Sequence, residues 1–223
     1  DIYSPEMAEF VETVARLAQP IYLPYAFFIE GGGLAVENAL KAAFDWKAKK
    51  NLQQDKKAPL NLVLHLKDCF HGRTGYTMSL TDSPDPRKVM HFPKFKWPRV
   101  TNPSIKFPLN AKNIEEVVKI EMQSLKEIKD FLSKHPDDIA CMILEPIQGE
   151  GGDNHFRPEY FKELKTLSLE NDFLLIYDEV QTGIGITGKM WAHQHFCEPS
   201  CESNCKTHCT FIEPDIISFG KKT

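Results

Sequence analysis

Two places in this 223-residue chain set a reactive side chain at the end of an apolar run. "FLLIYDEV" carries Asp178, and "DIISFG" is followed at once by Lys221 and Lys222. A carboxylate in apolar surroundings is costly to ionise unless something pairs with it. A protonated ring nitrogen is one such partner. The ordinary alternative is an Asp that caps a helix at a strand–helix junction. Glu179, beside it, reads as structural.

Three more stretches carry chemistry. "FFIEGGGLAVENALKAA" reads as strand, glycines, helix. Glycines let the backbone approach an anion, and the first turn of a helix offers free N–H groups and the positive end of its dipole. "CFHGRTG" holds Phe70 and His71, which could cover a flat ring, and Arg73, which could hold a carboxylate. "EPIQGEGG" places Glu145 and Glu150 in a glycine-rich loop. Each has a plainer reading: a tight turn, a structural histidine, a surface ion pair. Together, a phosphate cradle, a ring-stacking aromatic, an ionised Asp and a lysine after a later strand are the parts of a pyridoxal phosphate (PLP) site. One lysine of "SFGKKT" would then form the Schiff base.

The elements that must position these groups alternate between strand and helix. "SPEMAEFVETVARLAQ" has helical spacing, with Met7, Phe10, Val11, Val14 and Leu17 on one face and Ser4 as N-cap. "YAFFIE", "LNLVLHL", "IACMILEPI", "FLLIYDEV" and "DIISFG" read as strands. "LAVENALKAAFDWKAKK", "NIEEVVKIEMQSLKEIKDFLSKH" and "RPEYFKELKTLSLEND" read as helices, and "MHFPKFKWPRVTNPSIKFPLN" as a long irregular surface excursion. Continuous apolar strands between helices imply an α/β domain, a mostly parallel sheet with helices on both faces. Sites in such sheets lie at the carboxyl ends of the strands. The expected places are after Ile29, Leu66, Leu144 and Tyr177.

Composition narrows the class. At 42% hydrophobic and 26% charged the chain has the make-up of a globular protein, and its formal charge of -4 favours neither nucleic acid nor an anionic membrane. No apolar run approaches the roughly 20 residues of a membrane span. "DIYSPEMAEF" carries no basic-then-apolar leader and no initiating Met. A reduced, cytoplasmic chain is the expectation, with Cys141 an inert buried thiol.

The ordered phrases "EGGGLAVENALKAA", "FHGRTG", "LEPIQGEGG", "YDEVQTGIGITGKMWAH" and "PDIISFGKKT" resemble the class III, fold-type I PLP aminotransferases over nearly the whole chain. Within them, "GLAVENALKAAFDWK" and "FGKKT" are similar to the lysine epsilon-aminotransferase group. The resemblance implies roles. Gly32 and Gly33 would bind the PLP phosphate, and Phe70 and His71 would lie on one face of the ring. Val180 would pack on the other face. Asp178 would hold the ring nitrogen protonated, and Gln181 would reach the phenolic oxygen. Lys221 would be the Schiff-base lysine, with Lys222 the weaker choice. Arg73 would hold the substrate α-carboxylate. Glu150 would be the switch glutamate that masks an arginine, with Glu145 supporting the site. The implied reaction moves the epsilon-amino group of L-lysine to 2-oxoglutarate, giving 2-aminoadipate 6-semialdehyde and glutamate. Ornithine and 4-aminobutyrate are the alternative donors within the class.

By the family's measure, residues 1–223 form part of a PLP-binding large domain. An N-terminal segment and a C-terminal small domain are expected elsewhere, in a homodimer. A cysteine-rich insertion is expected over 193–213. Cys197, Cys201, Cys205 and Cys209 recur every fourth residue, with His193, His195 and His208 nearby. These ligand types suit zinc or an iron–sulfur cluster, but the spacing is not the usual C-x2-C pair. Free or disulfide-linked surface thiols are the plainer reading. A cysteine-based metal or redox module on a non-catalytic scaffold is the alternative of another class. Asp178, Gln181 and Lys221, all in place, argue against it.

Overall fold

The structure is a computed structural model and describes residues 3–196 and 212–221. A five-stranded sheet organises it, made of β1 (Leu62–Leu66), β2 (Arg99–Val100), β3 (Ile139–Leu144), β4 (Leu174–Glu179) and β5 (Ile216–Phe219). The strands lie in the order β2-β1-β3-β4-β5, and every neighbouring pair is parallel. All six residues of β3 are buried. A central strand covered on both faces has no solvent side to accommodate, so its sequence is an unbroken apolar run.

Five helices surround or precede the sheet: α1 (Pro5–Leu17), α2 (Gly32–Gln53), the short α3 (Thr77–Leu80), α4 (Ala111–Lys134) and α5 (Pro158–Asn171). Strand alternation sorts the side chains. Leu64, Met142, Leu144, Leu175 and Tyr177 point to one face, where they pack with Ile128 and Leu132 of α4 and Tyr160, Phe161 and Leu164 of α5. Val63, Cys141, Ile143 and Ile176 point to the other, against Val36, Ala39, Leu40 and Ala43 of α2. Two alanines on that helix face let its backbone come close to the sheet. Helix ends are set by local chemistry: Ser4 accepts from Met7 N–H, Asn110 from Asn113 N–H, and α5 opens on Pro158.

Three sequence expectations change. "YAFFIE" forms no strand: it has no neighbouring strand to pair with, and Tyr25 and Phe27 are exposed. The helical stripe of α1 buries no residue, although Phe10 meets Phe28 edge-on. The irregular excursion contains β2, which extends the sheet beside β1. No described helix is long and apolar enough to cross a membrane.

Candidate active site

A parallel sheet delivers the carboxyl ends of its strands to one edge, and the groups of interest collect there. The loop after β1 supplies Phe70 and His71, the loop after β3 begins with Glu145, β4 ends on Asp178 and Glu179, and Lys221 follows β5. An open cleft with a cavity volume of about 70 Å3 is lined by ten residues: Gly32, Gly33, Phe70, His71, Gly72, Glu145, Asp178, Val180, Gln181 and Lys221. Nine of them were expected from sequence. Gly72 is the addition.

One wall is the start of α2. Its N-cap, Gly31, lies at φ 85 and makes no side-chain cap bond, so the first-turn N–H groups have no side chain bound to them. Gly32 packs on Val180, where an added Cβ would lie 2.7 Å from a valine methyl. At Gly72, with φ 118, an added Cβ would lie 2.8 Å from Thr77 Oγ1 and 3.1 Å from Gly33 Cα. That signal was present in the sequence as the glycine after His71.

The opposite wall is charged and buried. His71 Nδ1 lies 2.8 Å from Asp178 Oδ2, and Val180 N–H donates to Oδ1 at 3.1 Å. The expectation set His71 on a ring face beside Phe70; its imidazole is turned to Asp178 instead. Burial alone would strip the His71 proton, but Cys69 and Asp178 outweigh burial and hold its pKa well above the ordinary value. Burial also pushes the Cys69 thiol up, toward its neutral form. His71 Nε2 is buried with no hydrogen-bond partner. Glu145 accepts from Phe70 N–H at 2.7 Å, and burial raises its carboxyl to about 7. Across the cleft, Lys221 Nζ donates to Gln181 Oε1 at 3.1 Å. Lys221 has φ 57, a left-handed conformation that costs a non-glycine residue on the order of 1 kcal/mol.

Two expected residues stand elsewhere. Arg73 is exposed, outside the cleft lining. Glu150 meets Lys88 and Ser83 rather than an arginine. Cys197, Cys201, Cys205 and Cys209 lie outside the described residues. His193 is engaged by Glu179 and Tyr22, and His195 by Thr187. Among the described residues, no group of three or more metal-ligating side chains is assembled. The remaining buried pair, Glu179 with His193, is fully satisfied, in keeping with a structural Glu179: it accepts from Thr182, from His193 Nδ1 and from two backbone N–H groups.

An open helix start, a buried carboxylate–imidazole pair and a strand-end lysine thus meet on one cleft of an α/β domain. Comparison with known proteins then gives the family. The chain belongs to the class III aminotransferases, whose family model matches residues 3–223. It is 47% identical over 224 residues to the L-lysine-epsilon aminotransferase of Mycobacterium tuberculosis, covering 100% of this chain and 46% of that protein. A 4-aminobutyrate aminotransferase of Emericella nidulans is 33% identical over 236 residues, covering 98% of this chain and 45% of that protein. The solved lysine aminotransferase of M. tuberculosis "in the internal aldimine form" superposes with a TM-score of 0.88 at 47% identity, covering 100% of this chain and 47% of that one. The chain thus spans about half the length of the relatives it matches.

Proposed function

We propose that this chain supplies the cofactor-binding part of a PLP-dependent lysine epsilon-aminotransferase. It would move the epsilon-amino group of L-lysine to 2-oxoglutarate, yielding 2-aminoadipate 6-semialdehyde and glutamate. The observation that carries the reading is the convergence of Lys221 and the Asp178–His71 pair on one cleft beside the uncapped start of α2.

The residues fit PLP. The backbone N–H groups at Gly32 and Gly33 suit its phosphate, since a helix start takes an anion and a Cβ at Gly32 would strike Val180. Asp178 would face the ring nitrogen, with Phe70 and Val180 lining the ring's two sides and Gln181 at its phenolic oxygen. Lys221 would hold it covalently. When bound, PLP supplies a carbonyl carbon that takes up an amine and a protonated ring that draws electrons from the bond being broken.

The chain's own residues do the rest. Asp178 keeps a negative charge beside the ring nitrogen. His71, buried and with Nδ1 2.8 Å from Asp178 Oδ2, would hold that carboxylate in place. Lys221 would be the base that takes a proton at Nζ and returns it. Gln181, already within hydrogen-bond reach of Nζ, steers that amine between positions. Arg73 remains the proposed anchor for the substrate α-carboxylate, with Glu150 as the proposed switch. Lysine is preferred to 4-aminobutyrate as donor because the relatives named for lysine are the more similar ones. We also propose a cytoplasmic homodimer for the whole enzyme, a reading that the exposed apolar stripe of α1 supports.

The test uses the full-length protein with PLP, lysine or ornithine, and 2-oxoglutarate, with products identified by mass. Lysine is expected to give a six-membered cyclic imine, lost by at least about 10^3-fold in Lys221→Ala. A five-membered product from ornithine alone keeps the class and overturns the substrate. No product from either overturns the reading.

A further inference from the structure

Arg73 belongs to an arch, residues 72–76, whose two legs rest on α2. The near leg is Gly72 and Thr74. An added Cβ at Gly72 would lie 3.1 Å from Gly33 Cα, and one at Gly33 would lie 3.2 Å from the Thr74 methyl. The far leg is Gly75 and Tyr76. Tyr76 N–H donates to Glu37 Oε1 at 3.0 Å, and a Cβ at Gly75 would lie 3.6 Å from the same oxygen. Gly33 and Glu37 are four residues apart in α2, so they stand one turn apart on the same side of the helix. The near leg has further bonds: Thr74 N–H donates to Thr77 Oγ1 at 2.9 Å, and the Thr81 hydroxyl donates to Gly72 O at 2.7 Å. On the far leg the Tyr76 ring packs with Phe44, Phe95 and Trp97, while Glu37 takes the backbone N–H. Arg73 itself is exposed, and its guanidinium takes no partner among the described residues. Its place therefore depends on the arch rather than on a bond of its own.

We propose that Glu37 is a positioning residue for substrate recognition: it pins the far leg of the arch to α2 and so fixes Arg73 relative to the start of that helix. The proposal rests on the aminotransferase reading above, with Arg73 as the anchor of the substrate α-carboxylate. The reacting amine must reach one point of the cleft while a carboxylate at the other end of the same molecule is held at a second point. A small error in the separation of the two is costly. With both legs of the arch on the helix whose first turn lines the cleft, α2 sets that separation. A hydrogen bond to a carboxylate is stronger than one to a neutral acceptor, which suits a clamp on an exposed turn. Glu37 is partly exposed, so water competes for the bond and the effect is moderate.

The experiment uses the full-length, PLP-loaded enzyme. Glu37→Ala removes the acceptor and leaves a good helix former in α2. Amide hydrogen exchange at Tyr76 is expected to quicken about tenfold. In the half-reaction with L-lysine alone, followed by cofactor absorbance, KM is expected to rise about fivefold to tenfold while kcat stays within about twofold. Glu37→Gln, which keeps an acceptor oxygen, is expected to recover most of both. In an Arg73→Met background, Glu37→Ala is expected to add no further loss, since the group it positions is gone. A Glu37→Ala loss of the same size in that background overturns the proposal, as does unchanged exchange at Tyr76 or a loss confined to kcat. An Arg73→Met enzyme with the wild-type KM for lysine overturns the anchor and the proposal with it. A wild-type enzyme that does not react with lysine overturns the aminotransferase reading itself, and this is seen before any variant is made.

Discussion

Asp178 and Glu179 are adjacent at the end of β4, and each pairs with a histidine Nδ1 at 2.8 Å. Strand alternation sends them to opposite faces, and there the likeness ends. Glu179 is sealed: both its oxygens accept two bonds, and His193 Nε2 goes on to the Tyr22 hydroxyl at 2.8 Å. Asp178 faces the cleft, and the far nitrogen of its histidine has no partner. Burial pushes Glu179 up, but its bonds from His193 and Thr182 bring it below the ordinary carboxylate value. A closed network is a fastener; an open one, with buried polar atoms to spare, is a place where something else binds. The fastener matters to the site all the same. It ties Ala192 and His193 to β4, and through Tyr22 it ties down the segment that leads into the start of α2.

That contrast can be broken experimentally. Glu179→Ala strands Thr182, His193 and two buried N–H groups, and is expected to cost about 3–5 kcal/mol in denaturant unfolding. Asp178→Asn keeps the side-chain shape and an acceptor for Val180 N–H. It is expected to lower kcat about 10^2–10^3-fold in steady-state assays while costing less stability than Glu179→Ala. Equal stability losses with activity retained would erase the distinction between the two pairs.

Glu145 sharpens it through pH. Its carboxyl is raised by burial from an ordinary 4.5 to about 7, so the folded state prefers the protonated form. Its contribution is complete below pH 4.5 and is lost as pH rises through 7, a swing of about 3 kcal/mol. Glu145→Gln is neutral and can still accept from Phe70 N–H. Thermal melts of the two proteins should agree near pH 4, part as pH rises from 4.5 to 7, and keep a constant gap above that, with the variant the more stable. A gap that does not vary with pH would show that Glu145 does not titrate there. The smallest effect expected is Tyr22→Phe, about 1 kcal/mol in unfolding, with the chemistry intact. A drop in kcat without loss of stability would move the Glu179 network into the catalytic apparatus.

Chemistry at strand ends was readable because the physics is local. An acid, an amine or a glycine run after an apolar stretch has few structural reasons to be there, and a parallel sheet brings all such ends to one edge. Asp178, Glu145, Lys221 and the glycines before α2 were legible on those terms. Pairing was not. His71 and Asp178 are 107 residues apart, and Tyr22 and His193 are 171 apart, so no window of sequence holds both members. Apolar content also misled where no partner strand existed: "YAFFIE" has a strand's composition and none of a strand's neighbours. Arg73 has a binding residue's neighbours in sequence, yet lies outside the cleft wall.

By itself, then, the sequence determined the alternation of helix and strand, the two-faced burial of the sheet and the types of group at its carboxyl edge. Periodicity and side-chain chemistry act within a few residues, so these follow from the order of the amino acids alone. Only the tertiary structure decided which histidine serves which carboxylate, that Glu150 answers to Lys88, and that one of two neighbouring acids is open while the other is closed. Those outcomes depend on distances between residues far apart in the chain, and on how much water the fold leaves beside each charge.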